Sequence, residues 1–317
     1  MIEGNLIGAA IPCYRGNKAT LKTVLSVIEY VDWVVFIDDC CPYKTGAQIK
    51  DKIKEDKLFV IYNQKNIGVG GSTKKGFKWL LDKGCDIILK IDADGQLRAE
   101  DIPKMCMPII KDKCDATKGN RFTDIDKLYR IPRVRLIGNI FLGFITKLST
   151  GYWEIFDPTN GFIAFSSTVL KEIELNKTDN RYFFETDVLF RCALKNIIIN
   201  NVAIEPIYKE NKSSLKPFNE ITNFFIRHIK LTFKRILYQY FLLDFNPGSI
   251  ELVLSIIIGG LSFIIGLTSL YKSNSTGIIA TPGMASLFSI TTILSIQLLL
   301  SFVYYDCTVR PSLREKR

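Results

Sequence analysis

Asp92 and Asp94, separated by Ala93 and followed by Gly95 and Gln96, are the residues whose types and spacing most directly suggest chemistry. They end an apolar run, Ile87-Ile88-Leu89-Lys90-Ile91, that reads as a buried parallel strand because positions facing both ways are largely apolar. Open α/β sheets gather ligands at the carboxyl ends of such strands. There the two carboxylates offer the hard oxygen ligands that Mg²⁺ or Mn²⁺ takes, and Gln96 could add a carbonyl oxygen. Taken alone, the triplet fits a solvated Asp-x-Asp-Gly turn equally well. The single histidine, His228, excludes histidine-based triads and His-rich metal sites. Proton transfer and metal ligation therefore fall to carboxylates, Tyr, Lys or Cys. The eight cysteines form no Cys-x-x-Cys pair, so neither a zinc site nor a disulfide framework is indicated, and reduced cytoplasmic thiols are expected.

The elements that must hold these carboxylates alternate regularly. Residues 5–12 make a first strand stopping at Pro12, and 19–30 have helical periodicity with Leu21, Val24, Leu25 and Ile28 on one face. A second buried strand over 33–37 ends in Asp38-Asp39. A helix over 45–55, a strand over 58–62 and a helix over 73–81 lead to the strand already described. Such alternation predicts an α/β fold with a doubly wound, mostly parallel sheet of the nucleotide-binding class. Asn66-Ile67-Gly68-Val69-Gly70-Gly71-Ser72 is glycine-rich but follows the third strand; it is neither a Walker loop nor the dinucleotide fingerprint, which follows the first. A plain loop with a helix cap is its other reading. Further on, a short strand ends at Arg121, and a long apolar helix opens across 131–139 and runs to about residue 150. A strand ends at Phe165, an amphipathic helix opens at Tyr182, and a last segment over 197–204 closes the sheet region.

Four motifs in this order resemble the GT-A nucleotide-sugar-binding domain of family 2 glycosyltransferases: Ile11-Pro12-Cys13-Tyr14, Asp38-Asp39, Asn66-Ile67-Gly68-x-Gly70-Gly71 and Asp92-Ala93-Asp94-Gly95-Gln96. The resemblance covers roughly residues 1–210. Within the family, the later segments resemble the polyprenyl-phosphate glycosyltransferases of the dolichol-phosphate mannose synthase and GtrB type. The resemblance implies a divalent cation (Mg²⁺ or Mn²⁺) on Asp92 and Asp94 with Gln96, and donor contacts from Pro12, Tyr14, Asp39, Asn66, Gly71 and Asp92. It also implies acceptor contacts from Arg121, Arg133, Arg135, Asn139 and Glu185, with Asp94, Asp157, Arg121 and Arg135 as the residues that carry the reaction. The chain departs from the family at Tyr14-Arg15-Gly16, at Asp38-Asp39-Cys40-Cys41-Pro42-Tyr43-Lys44-Thr45, and at Ile163, where an arginine often follows Gly-Phe. These departures leave the nucleotide and the sugar open.

Mean hydropathy is +0.14, with the apolar residues concentrated past position 250. Met1-Ile2-Glu3-Gly4-Asn5 lacks the basic start of a secretory signal, so none is expected. From Lys209 onward twelve Lys/Arg face six Asp/Glu, so +6 of the net +10 lies in that short stretch and +4 in residues 1–208. Residues 211–248 are aromatic and basic, which suits amphipathic helices in a membrane interface; packing on the catalytic domain is the other reading. Residues 249–317 carry two segments, 250–271 and 286–305, long enough to cross ~30 Å of hydrocarbon, with a buried helical pair as the alternative. The basic tail Arg310–Arg317 and the lone Lys272 between the segments predict both ends in the cytoplasm, and the catalytic domain with them. Nucleic acid is not an expected partner, because the membrane reading already accounts for the basic and aromatic residues. A homo-oligomer stays open.

The expected function is transfer of a sugar, with inversion, from a UDP- or GDP-linked donor to polyprenyl phosphate. Two alternatives remain at this point. One is attack by a sugar hydroxyl of a lipid-linked glycan, which would need Asp157, Glu185 or Asp187 as base. The other is a non-catalytic membrane adaptor with a degenerate GT-A fold.

Overall fold

The structure, a computed structural model, describes residues 1–122, 133–205 and 217–309, with the backbone alone at 133–137 and 217–221. The described residues divide into two compact units, one running through Thr232 and the second from Phe233 to Val309.

The first unit is built on strands β1 Ile7–Cys13, β2 Trp33–Asp38, β3 Leu58–Tyr62, β4 Ile87–Lys90, β5 Ala116–Asn120, β6 Ile163–Ser166 and β7 Ile199–Ala203. Between them run helices α1 Lys18–Ile28, α2 Thr45–Lys52, α3 Val69–Asp82, α4 Ile102–Ile110, α5 Arg133–Thr150, α6 Ser167–Glu172 and α7 Phe184–Leu194. The strands form one sheet in the order β3-β2-β1-β4-β6-β5-β7. Every pairing is parallel except the two made by β6, which runs against both β4 and β5. This is the expected GT-A architecture: a mostly parallel sheet with helices on both faces.

The apolar strands need cover on both sides, and they have it. Every residue of β1 is buried. Ile11, Phe36 and Leu89 pack with Val24 of α1 and Ile102 of α4 on one face, while Ala10, Ile37, Ile88 and Phe165 meet Phe77 of α3 and Leu189 of α7 on the other. α1 is started by a capping box in which the Asn17 side chain accepts from the Ala19 N–H, and the Thr20 hydroxyl accepts from the Asn17 N–H. α3 comes close to the sheet through Gly76, where a Cβ would lie 2.8 Å from the Ala10 Cβ. It also begins at Val69, inside the glycine-rich stretch and four residues ahead of the expected start.

The second unit contains the end of α8 Pro217–Leu237, a π-helical turn Tyr238–Leu242, α9 Pro247–Thr276 and α10 Pro282–Thr308. Asn246 caps α9 with a capping box, and the Thr281 hydroxyl caps α10. Both helices are long and apolar enough to cross a membrane, and only 11 % and 6 % of their most apolar windows are buried. They are therefore not the core helices of this fold. They join through small polar residues. The Ser255 hydroxyl donates to the Ser295 carbonyl and the Ser295 hydroxyl to that of Ser255, each at 3.0 Å, and Ser262 and Thr292 share a hydrogen bond of 2.6 Å. In the same unit, Arg235 donates to both oxygens of Asp306 at 2.6 and 2.9 Å, and the Tyr240 hydroxyl adds a third bond at 2.6 Å.

Candidate active site

The strand order reverses between β1 and β4, and this is where an open sheet leaves a crevice. β1 pairs with β4 only as far as Ala10–Lys90, but with β2 as far as Cys13–Asp38. Pro12, which has no N–H to give, sits past the last β4 partner, where the missing donor costs nothing. The loops after β1, β2, β3 and β4 all open on this edge.

Asp38 and Asp39, adjacent at the end of β2, are both buried and both fully engaged. Asp38 accepts from the Cys41 and Gly46 N–H groups at 2.6 and 2.7 Å, which ties the loop to the first turn of α2. Asp39 accepts from the Asn63 side chain and from the Ile67 and Gly68 N–H groups, at 2.8–2.9 Å, while Asn66 reaches the Asp39 carbonyl at 3.5 Å. The acidic pair thus fixes the third loop. Tyr14 is half exposed, with the Arg15 guanidinium 5.3 Å from its ring centre.

The glycine-rich loop has a packing reason that its sequence does not announce. The segment Asp179–Phe184 crosses it, and Gly71 donates its N–H to the Asn180 carbonyl at 2.9 Å. A Cβ on Gly68 would lie 2.4 Å from the Asn180 carbonyl oxygen, and one on Gly70 2.5 Å from that of Asp179. Gly68 also has φ +89°, which disfavours any side chain.

At the end of β4, Asp92 Oδ1 accepts from the Lys90 ammonium at 2.7 Å, and Asp94 Oδ1 accepts from the Gln96 N–H at 3.0 Å. Lys90 is fully buried, and its second partner is Glu185 Oε1 at 2.9 Å, from the first turn of α7. Asp92 Oδ2 lies against Gly161, where a Cβ would be 1.8 Å away, so only glycine leaves that carboxylate its place. Burial works to raise the Asp92 carboxyl, yet Lys90, with Arg121 and Lys118 farther off, holds it below its ordinary value. Burial and then the Asp92 charge push Asp94 upward. Among the described residues no three His, Cys, Asp or Glu side chains converge as a ready-made metal cage. Two carboxylates with a nearby amide are instead the donor set of a cation that keeps waters and completes its shell with substrate phosphates. The residues fit a divalent cation of the Mg²⁺ or Mn²⁺ kind.

Beside this lies an arginine held in a fixed pose. Asp157, 1 % exposed, accepts from Arg121 Nε at 2.7 Å and from its terminal nitrogen at 3.0 Å. Asn160 braces the same turn, donating to the Gly119 carbonyl at 2.9 Å and accepting from the Phe162 N–H at 3.0 Å. Fully buried Lys118 donates to the Asn160 carbonyl at 2.5 Å, and burial pushes its ammonium down to about 8 against the pull of Asp157 and Glu185. Asn139 is half-buried in α5. The Arg133 and Arg135 side chains lie outside the described residues. Asp92, Asp94, Glu185, Arg121 and Asp157 thus come together, while Asp39, Asn66 and Gly71 form the neighbouring loop layer. No motif in the sequence marks Lys90 or Lys118. The signal was a charged residue inside a buried strand, visible in Ile-Ile-Leu-Lys and in Ala-Thr-Lys-Gly-Asn.

Residues 9–174 match the family described as glycosyl transferase family 2. The chain is 30 % identical to the UDP-N-acetylglucosamine–dolichyl-phosphate N-acetylglucosaminyltransferase of Methanococcus voltae, over 65 % of this chain and 87 % of that one. It is 27 % identical to the undecaprenyl-phosphate mannosyltransferase of Micrococcus luteus, over 63 % of this chain and 83 % of the other. Among solved structures, glucosyl-3-phosphoglycerate synthase from Mycobacterium tuberculosis, in complex with Mn²⁺, UDP and phosphoglyceric acid, superposes with a TM-score of 0.55 over 73 % of this chain and 78 % of its own; at 14 % identity the likeness is one of fold. A strand-end carboxylate pair at the switch point of a GT-A sheet and a family match across half its length agree: the chain is a glycosyltransferase and belongs to glycosyl transferase family 2.

Proposed function

We propose that this glycosyltransferase moves one sugar, with inversion, from a UDP- or GDP-linked donor to polyprenyl phosphate, at the cytoplasmic face of a membrane that α9 and α10 span. The observation that carries this reading is the state, among the described residues, of the three carboxylates named above as candidate bases. Asp157 has both oxygens on Arg121, Glu185 holds Lys90, and Asp187 accepts from the Asp179 N–H at 2.8 Å. Attack by a sugar hydroxyl needs a base free to take its proton. A phosphate monoester, with a second pKa of ~6, is already ionised near neutral pH and needs only cations to position it. Arg121, fixed by Asp157, is such a cation, and Arg133 and Arg135 lie at the start of α5. The names of the relatives, acting on dolichyl phosphate and undecaprenyl phosphate, support the same acceptor class.

On this reading Asp92 and Asp94, with Gln96, hold the divalent cation, which when bound neutralises the charge left on the departing nucleoside diphosphate. Asp39 keeps the third loop in shape beside the donor, with Pro12, Tyr14, Asn66 and Gly71 lining that side. Arg121 orients the acceptor phosphate oxygen toward the anomeric carbon, on the face opposite the diphosphate. The decisive assay offers the full chain polyprenyl phosphate, then a polyprenyl-diphosphate-linked sugar, with labelled donors. Label is expected on the bare phosphate; label on the second acceptor alone would overturn the proposal. The membrane component predicts that the chain stays with the membrane through carbonate extraction at high pH, and release would sink it.

A further inference from the structure

The β4 lysine is unusual for its position. Lys90 is fully buried, yet its ammonium sits 2.7 Å from Asp92 Oδ1 and 2.9 Å from Glu185 Oε1, which anchor on different elements. It is the last residue of β4, on the sheet face of Ile88 against which α7 packs, so its position is fixed by the strand and not by a solvent-facing stem. A surface lysine would swing aside when a metal arrives; this one has no solvent to swing into. The other Asp92 oxygen lies against Gly161, so neither oxygen of that carboxylate is without a close neighbour.

We infer that Lys90 is a resident counter-ion of the candidate cation site, and that it makes metal binding depend on the nucleotide diphosphate. The ammonium already neutralises much of the charge of Asp92. A divalent cation offered to Asp92 and Asp94 alone meets a weakened pair of ligands and a like charge close by. Two negative charges from a nucleoside diphosphate restore the balance, so cation and donor enter together. Glu185 shares the ammonium and thereby moderates its hold on Asp92. The consequence for the reaction is that an empty site does not collect metal, and the site is charged only when a donor is present. This rests on the cation reading given above.

The test is titration of the full-length chain with Mn²⁺, read as loss of the free-ion electron paramagnetic resonance signal, with and without UDP or GDP. The variants are Lys90→Gln, which keeps a hydrogen-bond donor but no charge, and Lys90→Arg, which keeps the charge. Lys90→Gln is expected to bind Mn²⁺ at least tenfold tighter than wild type without nucleotide, and to gain correspondingly less when nucleotide is added. Lys90→Arg is expected to keep the wild-type dependence on nucleotide. Unchanged or weaker Mn²⁺ binding by a folded Lys90→Gln would overturn the inference, since a lysine that only props the carboxylates would give that result. If Lys90→Gln does not fold, Lys90→Met/Glu185→Gln, which removes one charge of each sign, carries the same two outcomes. Failure of both to fold would assign Lys90 to the fold alone and overturn the inference. A wild-type chain that binds no Mn²⁺ even with nucleotide present would instead remove the cation reading beneath it, a result distinct from nucleotide-independent binding.

Discussion

The two units of this chain bury opposite kinds of residue. The first hides Ile, Val, Leu and Phe on both faces of its sheet and gathers its charged groups at strand ends. In the second, Ile256, Phe263, Ile290 and Ile293 are exposed, while Ser249, Ser255, Ser262, Arg235 and Asp306 are buried. In water the second pattern would leave a large apolar surface uncovered. In hydrocarbon it is the sensible arrangement, because helices there meet through small residues and interhelical hydrogen bonds. Inward polar groups therefore sit differently in the two units: in the first they gather at strand ends and loops, where the proposed reading gives those of the site a part in the chemistry, and in the second they join helix to helix.

The contrast is open to attack at both ends. The largest effect is expected at the first unit's strand end. Asp94→Asn should lower turnover by about 100- to 1,000-fold, the scale of losing one charge-stabilising group, with a thermal midpoint close to wild type. Labelled-donor transfer beside a melting curve checks both halves, and a large fall in midpoint would mean that the strand-end charges serve the fold after all. Next comes Asp306→Ala in the second unit. It leaves a buried guanidinium without its bidentate carboxylate, at a cost of about 3–5 kcal/mol. Unfolding in detergent measures it, and a near-neutral result would break the proposed division of labour.

The third effect depends on pH. Burial pushes the His228 imidazole down to about 4 from 6.5, so the folded chain holds it neutral while the unfolded chain protonates it sooner. The contribution is intact above pH 6.5 and is lost as pH falls from there toward 4, by at most about 3 kcal/mol. His228→Phe should flatten that part of the stability profile; an unchanged acid slope would show that other groups cause it. The smallest effect is expected for Ser255→Ala, about 0.6 kcal/mol in detergent, the typical size of an interhelical hydrogen bond between membrane helices. A much larger loss would give the serine pair a role beyond joining α9 to α10.

Most of the sheet could be read from the sequence because its strands are short apolar runs that stop at charged or glycine-bearing loops. The expected strand over 58–62 coincides with β3, and the two apolar C-terminal segments fall inside α9 and α10. The reversed direction of β6 left no mark in Ile163-Ala164-Phe165, since burial on both faces looks the same for either direction. α3 starts earlier than the sequence predicts because glycines argue against helix. Here they are required by a second segment crossing close above. In the site, Asp92, Asp94, Asp157 and Arg121 carried recognisable motifs. Lys90 did not, because its meaning comes from Glu185, which lies far along the chain and reaches it only through the packing of α7.

The packing of α8 on the first unit also decides where this protein can be dissected. Its described turns up to Thr232 belong to that unit, and they grip the segment that leads into Glu185. Phe183 is almost fully buried; Phe224 lies 5.4 Å away ring to ring and His228 5.0 Å, and Arg227 covers the ring while pairing with Asp179. His228 also meets the Ser149 hydroxyl at 2.9 Å. Trimming the gene where the sequence first turns basic and aromatic, near Lys209, would strip away this clasp and bare an aromatic side chain beside the glycine-rich loop. A soluble catalytic fragment should instead run through Thr232, accepting an amphipathic helix as the cost of an ordered Glu185.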